Sequence, residues 1–284
     1  MMYGEWDPAY MPVAEILVHP EPDGWRIYFS EIRESFKLIL LLTRRNIKIR
    51  YQQTAVGALW AILQPLMTMA VFTVLFGRLM NVPTGGVPYP AFALCALAPW
   101  SYFVHALTIT TRSLVDQHDL VTKVYFPRLI LPIVATLEAT VDFLISTAVL
   151  LVLLPMYGIW PSWRLLALPF LLLALTSLAL GAGLWLSATN LRYRDVMSAL
   201  PFAMQVLLFS SPVAYSSELI PEKWRLIFAI NPLSGLLDAF RWALLGRRYG
   251  SWEALLISFA MGLLLLVSGV IFFRGREATF ADEV

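Results

Sequence analysis

Residues 165–191, LLALPFLLLALTSLALGAGLWLSATNL, run for 27 positions without an Asp, Glu, Lys or Arg. A helix of about 20 apolar residues crosses the hydrocarbon core of a bilayer, so this stretch reads as a transmembrane span. Similar runs lie on both sides of it. Tyr51 to Gly77 is another 27 uncharged residues, Val196 to Ser217 is 22 and Ala254 to Phe273 is 20. Leu79 to Thr111 is 33 residues long, but Pro83, Gly85, Gly86, Pro88 and Pro90 make its first third a loop and start the span near Pro90. Leu129 to Leu154 is apolar apart from Glu138 and Asp142. The expected fold class is an all-α integral membrane protein with six transmembrane helices.

Composition agrees. Of the 284 residues 59% are hydrophobic and only 14% charged, where soluble chains carry roughly 25% charged residues. Six spans and their loops use most of the chain, which leaves no room for a large catalytic domain outside the membrane. The single cysteine, Cys95, excludes an intrachain disulfide. A net charge of +2 does not point to nucleic acid.

Two further apolar stretches, residues 221–230 and 234–245, are too short to cross. Asn231-Pro232 separates them as a turn and Gly246 stops the second. At 1.5 Å per residue each reaches about 15–18 Å, so a re-entrant or interfacial helical hairpin before the last span is expected. A seventh, split span is the rival reading.

Residues 1–29 are rich in acidic residues and proline and lack the pattern of a cleavable signal peptide. Ser30 is the expected N-cap of an amphipathic helix over residues 30–50, with Ile32, Phe36, Ile39, Leu40 and Ile47 on one face and six basic residues beside them. A basic amphipathic helix just before a span reads as interfacial. With both termini cytoplasmic, 14 Lys and Arg fall on the inner side and seven on the outer, in keeping with the positive-inside rule. The organisation expected is an extension over 1–29, the interfacial helix over 30–50, six spans over 51–273 and a cytoplasmic tail over 274–284.

No nucleotide-binding G-x-x-x-x-G-K-[ST] loop exists in this sequence. His19, His105 and His118 are too scattered to suggest a metal site. Energy must then come from a partner or an ion gradient. Glu138 and Asp142, four apart and near mid-membrane, share one helix face. A central acid costs about 2.5–3.5 kcal/mol on insertion scales, so that face should meet the bundle interior or a cavity. An ion relay, a polar channel wall and a hydrogen-bonded structural pair all fit. Tryptophans near the span ends, Trp160, Trp163, Trp242 and Trp252 among them, suit headgroup anchoring or stacking on sugar rings.

The order of motifs resembles a family. Arg44-Arg45-Asn46-Ile47-Lys48-Ile49-Arg50-Tyr51 followed by Gly57, Trp60 and Pro65, then residues 120–127 (LVTKVYFP), 190–195 (NLRYRD) and Asn231-Pro232-Leu233 with Arg241 ten residues on, are similar to the polysaccharide and polyol-phosphate export permeases. These are membrane subunits of type-2 ATP-binding-cassette exporters. The resemblance spans residues 30 to 273. It implies a homodimer with two copies of a cytoplasmic ATPase subunit, which binds ATP and Mg. It also implies a glycan linked to undecaprenyl diphosphate as cargo and the bacterial inner membrane as location.

On that resemblance, Asp116, His118, Asp119, Lys123, Arg192 and Asp195 are expected at the ATPase contact. Arg44, Arg45, Lys48 and Arg50 sit where a lipid diphosphate would enter, since Arg grips phosphate bidentately; attraction to anionic lipid is the plainer reading. Gln53, Trp60, Gln64 and Thr68 share a face of the first span that suits a glycan path or a packing seam. Asn231, Pro232, Asp238 and Arg241 belong to the outer hairpin, where Asp238 and Arg241, three apart, can pair. An intramembrane transferase acting on lipid-linked sugar, an ion-coupled carrier using Glu138 and Asp142, and a permease for another lipid or drug are the competing readings.

Overall fold

The computed structural model describes residues 24–52, 59–123 and 126–280, and every regular element among them is helical. Helices α1 (Gly24–Glu34) and α2 (Phe36–Gln52) come first. Then follow α3 (Leu59–Phe72), continued by a π-helical stretch over Thr73–Leu79, α4 (Tyr89–Asp116), the short α5 (His118–Lys123) and α6 (Ile130–Leu153). The chain ends with α7 (Leu168–Arg192), α8 (Asp195–Ser210), α9 (Glu222–Ala229), α10 (Pro232–Leu245) and α11 (Trp252–Arg276). Five segments among the described residues are long and apolar enough to cross a membrane: Ile62–Leu79, Tyr89–Asp116, Ile130–Tyr157, Trp163–Arg192 and Trp252–Thr279. The protein is a multi-pass, all-helical membrane protein.

The run read as a sixth span, residues 196–217, folds differently from the expectation. Its helix, α8, has only 16 residues. Ser211 precedes Pro212 and adopts extended backbone at φ −109°, ψ 150°, because proline drives the preceding residue out of the helical region. The chain still changes ends here. Near the start of α8, Asn190 Nδ2 donates to the Thr111 carbonyl at 3.4 Å. Beyond its C-terminus, the Tyr89 hydroxyl at the opposite end of α4 donates to the Ala214 carbonyl at 2.8 Å.

One end of the bundle is closed by an apolar cluster that gathers Tyr28 of α1, Leu42 of α2, Leu129 before α6, Leu191 of α7 and Phe273 and Phe280 at the end of the described chain. Both ends of the described chain therefore lie at the same end of the molecule. The other end is tied by Arg164, whose Nη1 donates to the Gly246 carbonyl at 2.8 Å, and by the Tyr249 hydroxyl, which donates to the Thr84 carbonyl at 3.1 Å.

Helix α4 is the central post, with Ala91, Ala93, Ala96 and Ala106 almost fully buried and α3, α6, α7 and α10 packed around it. Small residues allow such close packing where lipid supplies no hydrophobic drive between helices. A very close seam joins α7 to α11. A Cβ at Gly181 would lie 2.4 Å from the Leu266 amide nitrogen, and one at Gly269 would lie 2.5 Å from the Gly181 carbonyl oxygen. Only glycine fits at either place.

Three further expectations change in detail. The N-terminal helix is two segments that meet at Ser35, and Gly24, the first described residue, is already helical where residue 30 is the expected start. Ser30 is no cap: its hydroxyl donates back to the Ile27 carbonyl at 2.7 Å inside α1. The face of α2 turned to the bundle carries Ile39, Leu42 and Thr43, while Phe36 and Leu40 point outward. The hairpin is also split in character. Leu237 of α10 is fully buried among α4, α7 and α11, whereas Ile227 of α9 is 60% exposed.

Candidate functional site

Glu138 and Asp142 lie two and three turns into α6 and do not stand alone. The C-terminal end of α2 reaches over to them, so that Arg50 Nη1 sits 2.9 Å from Asp142 Oδ2 and 3.6 Å from Glu138 Oε1. The Tyr51 hydroxyl donates to Asp142 Oδ1. From α4, His105 Nε2 comes within 2.7 Å of Arg50 Nη1 and 3.5 Å of Asp142 Oδ2. Two acids, one guanidinium, an imidazole and a phenol thus join three helices. Both carboxylates are mostly buried, at 16% and 18% side-chain exposure, while Arg50 keeps 39%. In this geometry one guanidinium, a phenol and an imidazole stand against the two carboxylates, so the acids are ion-paired and hydrogen-bonded across helices.

Next to this cluster a cleft of about 320 Å³ opens between α2, α4 and α6. Its polar lining is Arg45, Asn46, Arg50, Ser113, Asp116, Gln117 and Glu138, and Ile49, Ile109, Leu131 and Val134 are among its apolar residues. Arg45 Nη2 donates to Gln117 Oε1 at 3.1 Å. Two guanidiniums, two carboxylates and aliphatic side chains share this lining, so Arg45 and Arg50 can donate to an anionic head while the aliphatic residues meet a hydrocarbon tail. Of the four basic residues expected at such an entry, Arg45 and Arg50 line the cleft. Arg44 and Lys48 share the outward face with the exposed Leu41 and take no part in it.

The residues expected at an ATPase contact collect at the same end. Asp116, His118, Asp119, Arg192 and Asp195 are all exposed. Asp116 pairs with Arg112 at 3.5 Å, Arg192 lies 5.4 Å from the Tyr193 ring and Asp195 opens α8, where an acid favours the helix start. The Asn190–Thr111 hydrogen bond brings their two connections together. Of Lys123 only the backbone, in α5, is described. On the first span Gln64 is exposed and the Thr68 hydroxyl, half-buried, donates to the Gln64 carbonyl at 2.9 Å. Gln53 lies outside the described residues, and of Trp60 only the backbone in α3 is described.

At the opposite end, Asn231 caps α10 by accepting from the Leu233 amide at 3.0 Å, with Pro232 at the first helical position. Asp238 and Arg241 pair at 3.4 Å, but Arg241 does more than that. It is fully buried, donates to the Pro212 and Val213 carbonyls at 2.6 and 2.7 Å, and lies 3.7 Å from the Phe92 ring centroid. This guanidinium, the Tyr89 hydroxyl on the Ala214 carbonyl and Asn231 Nδ2, which donates to Ser211 Oγ at 2.8 Å, together hold the non-helical residues after α8.

Sequence reasoning missed Tyr51, His105, Asn46, Gln117 and the carbonyls of residues 212–213. Only the cost of an unpaired acid in mid-membrane hinted that Glu138 and Asp142 had partners. No group of residues suited to holding a metal ion occurs among the described residues.

Residues 37–245 match the family model described as ABC-2 type transporter. The chain is 28% identical over 260 residues to the O-antigen export system permease protein RfbA of Myxococcus xanthus, covering 89% of this chain and 98% of the relative. It is 26% identical to the RfbA permease of Klebsiella pneumoniae over 87% of this chain and 95% of that one. It is also 26% identical to the polysialic acid transport protein KpsM of Escherichia coli, over 82% of this chain and 91% of that protein. With the model covering most of its helical bundle, the chain belongs to the ABC-2 type transporter membrane family.

Proposed function

We propose that this chain is the channel-forming permease subunit of an ATP-driven exporter that moves a polysaccharide, carried on an undecaprenyl-diphosphate-type lipid, across the bacterial inner membrane. The observation that carries the reading is the cleft between α2, α4 and α6. It puts Arg45 and Arg50 beside aliphatic side chains, with Asp116 and Glu138 in the same lining, at the end of the bundle where the exposed connections gather. Polysaccharide export by the RfbA and KpsM relatives supplies the class of cargo.

In this reading α8 is the sixth crossing, supported by the opposite-end contacts of Asn190 and Ala214. Both termini are cytoplasmic, α2 lies at the inner interface and α9–α10 form a hairpin entering from the outer side. Two copies form the channel, and two ATPase subunits, which bind ATP and Mg, dock on Asp116, His118, Asp119, Lys123, Arg192 and Asp195. Arg45 and Arg50 receive the diphosphate, and Gln53, Trp60, Gln64 and Thr68 line the glycan path.

The test is reconstitution of the permease with its co-expressed ATPase in liposomes. Undecaprenyl-diphosphate-linked glycan should stimulate ATP hydrolysis, and Arg45→Gln should raise the half-maximal concentration about tenfold, as expected for one charge-assisted hydrogen bond. An assembled complex that no lipid-linked glycan stimulates would overturn the reading.

A further inference from the structure

A second cavity, of about 340 Å³, lies at the other end of the bundle, between α9, α10 and the residues leading into α11. Its size is at the lower end of the roughly 300–1,000 Å³ found for small-ligand sites. Two of its polar side chains are more than nine-tenths buried. Ser234 is 3% exposed, and its hydroxyl has no hydrogen-bond partner among the described residues. Asp238 is 5% exposed: Ser217 donates to its Oδ2 and Arg241 to its Oδ1 at 3.4 Å. A carboxylate offers about four acceptor positions, so about two remain for a ligand.

Two of the three charged side chains around this cavity besides Asp238 are ion-paired, and the third is hydrogen-bonded to backbone. Arg225 pairs with Glu222 at 3.6 Å, Glu218 with Arg247 at 3.7 Å, and Arg248 Nε donates to the Gly250 carbonyl at 2.8 Å. A ligand here does not need to be an ion. Phe228 and Tyr249 add aromatic surface to the lining. A narrow cleft beside it, also bounded by Asp238 and Gly250, brings in Trp242 and Trp252, whose rings meet edge to face at 5.7 Å. Gly250 keeps the passage open, since a Cβ there would lie 2.5 Å from Asp238 Oδ2. Fixed acceptors, an unsatisfied hydroxyl and nearby aromatic faces suit a neutral ring that bears hydroxyls on its edge and C–H groups on its faces.

We propose that this cavity is a carbohydrate subsite that holds one sugar residue of the exported chain at the outer side of the membrane. The placement rests on the orientation and cargo proposed above; the chemistry of the cavity does not. The experiment has two arms. In the first, the full permease–ATPase complex in nanodiscs is examined by saturation-transfer NMR with D-mannose, D-galactose and N-acetyl-D-glucosamine as probes. At least one should receive saturation. Ala229→Trp should abolish the transfer by filling the cavity, and Ser234→Ala should raise the dissociation constant about tenfold by removing a hydrogen bond inside a desolvated site. Since the Ser234 hydroxyl has no partner, its removal spares folding. Transfer to none of the three sugars, or equal transfer in native and Ala229→Trp protein, overturns the subsite.

In the second arm, Glu253→Cys at the exposed start of α11 is treated with a membrane-impermeant maleimide in intact spheroplasts, against a background in which Cys95 is fully buried. Labelling is expected from outside. Labelling only after the cells are broken overturns the outer placement, and with it the proposed orientation, independently of the sugar result.

Discussion

Arg50 and Arg241 show how one guanidinium can organise a membrane protein at the residue scale. Arg50 faces two acids at once, so its removal takes the guanidinium away from both. Breaking a buried pair costs about 3–5 kcal/mol; with Arg50 39% exposed, Arg50→Gln should lower stability by about 2 kcal/mol. Adding Asp142→Asn should recover part of that loss. Thermal unfolding in detergent, followed by tryptophan fluorescence, reads both changes, and an unaltered transition in Arg50→Gln would deny the cluster its structural role. Arg241 is a stricter case because its fork serves carbonyls two residues or fewer apart. Lysine keeps the charge but not the fork, so Arg241→Lys should still cost about 3 kcal/mol and reduce the yield of folded protein. A lysine variant as stable as the native chain would mean that charge alone suffices. The sequence foretold the i,i+3 pairing of Asp238 with Arg241, which depends on helix geometry alone. It held no sign of Pro212, Val213 or Phe92, nor of Arg50 meeting an acid 92 residues on, because those contacts exist only once the helices have packed.

At the scale of elements, legibility follows the length of the physical signal. Five of the expected runs hold segments long enough to cross, although the first segment is Ile62–Leu79 and Tyr51 belongs to the end of α2, and Pro88 stands as the cap of α4 close to the expected start. Errors fell where a short-range rule met a competing one. Ser30 was a plausible cap by type, but Trp25 and Tyr28 pack α1 against Arg274, at 4.1 and 4.8 Å from its guanidinium carbon, and Ser30 lies inside the helix they dock. The extent of the second apolar run in α8 was overstated because Pro212 acts on backbone geometry while hydropathy counts only side chains. The α7–α11 seam yields a prediction. Gly181→Ala forces a methyl into backbone atoms of α11, and overpacking of this kind costs typically about 1–3 kcal/mol. The midpoint of thermal unfolding should fall, and a matching change at Gly275, where a Cβ meets nothing within 4 Å, should leave it in place. The exposed connections carry another: cysteines at Asp119 and Asp195 should cross-link to the ATPase subunit, and uniform failure at both would remove them from the contact.

For the whole molecule, the open question is which surface meets lipid and which meets a second copy around a glycan path. Exposed apolar side chains do not decide it, since Leu256, Leu263 and Leu264 on α11 are as exposed as Met67 and Val71 on α3 or Phe202 and Phe209 on α8. Exposed amides do discriminate. Gln64 on α3 and Gln205 on α8 both point away from the bundle, and an amide facing hydrocarbon without a partner costs several kcal/mol. Both helices lean on α4 with one face and leave the other open. In the proposed dimer, two copies meeting through these faces would enclose a path lined partly by amides. Cysteines at Gln64, Thr68 and Gln205 should therefore react with a small hydrophilic thiol reagent when the ATPase cycle opens the transporter, while one at Leu264 stays protected by lipid. Tryptophan at Gln64 should block export without preventing cross-linking between copies. If Leu264→Cys reacts as fast as the three others, or if all three stay inert through the ATPase cycle, the α3 and α8 faces are not the path.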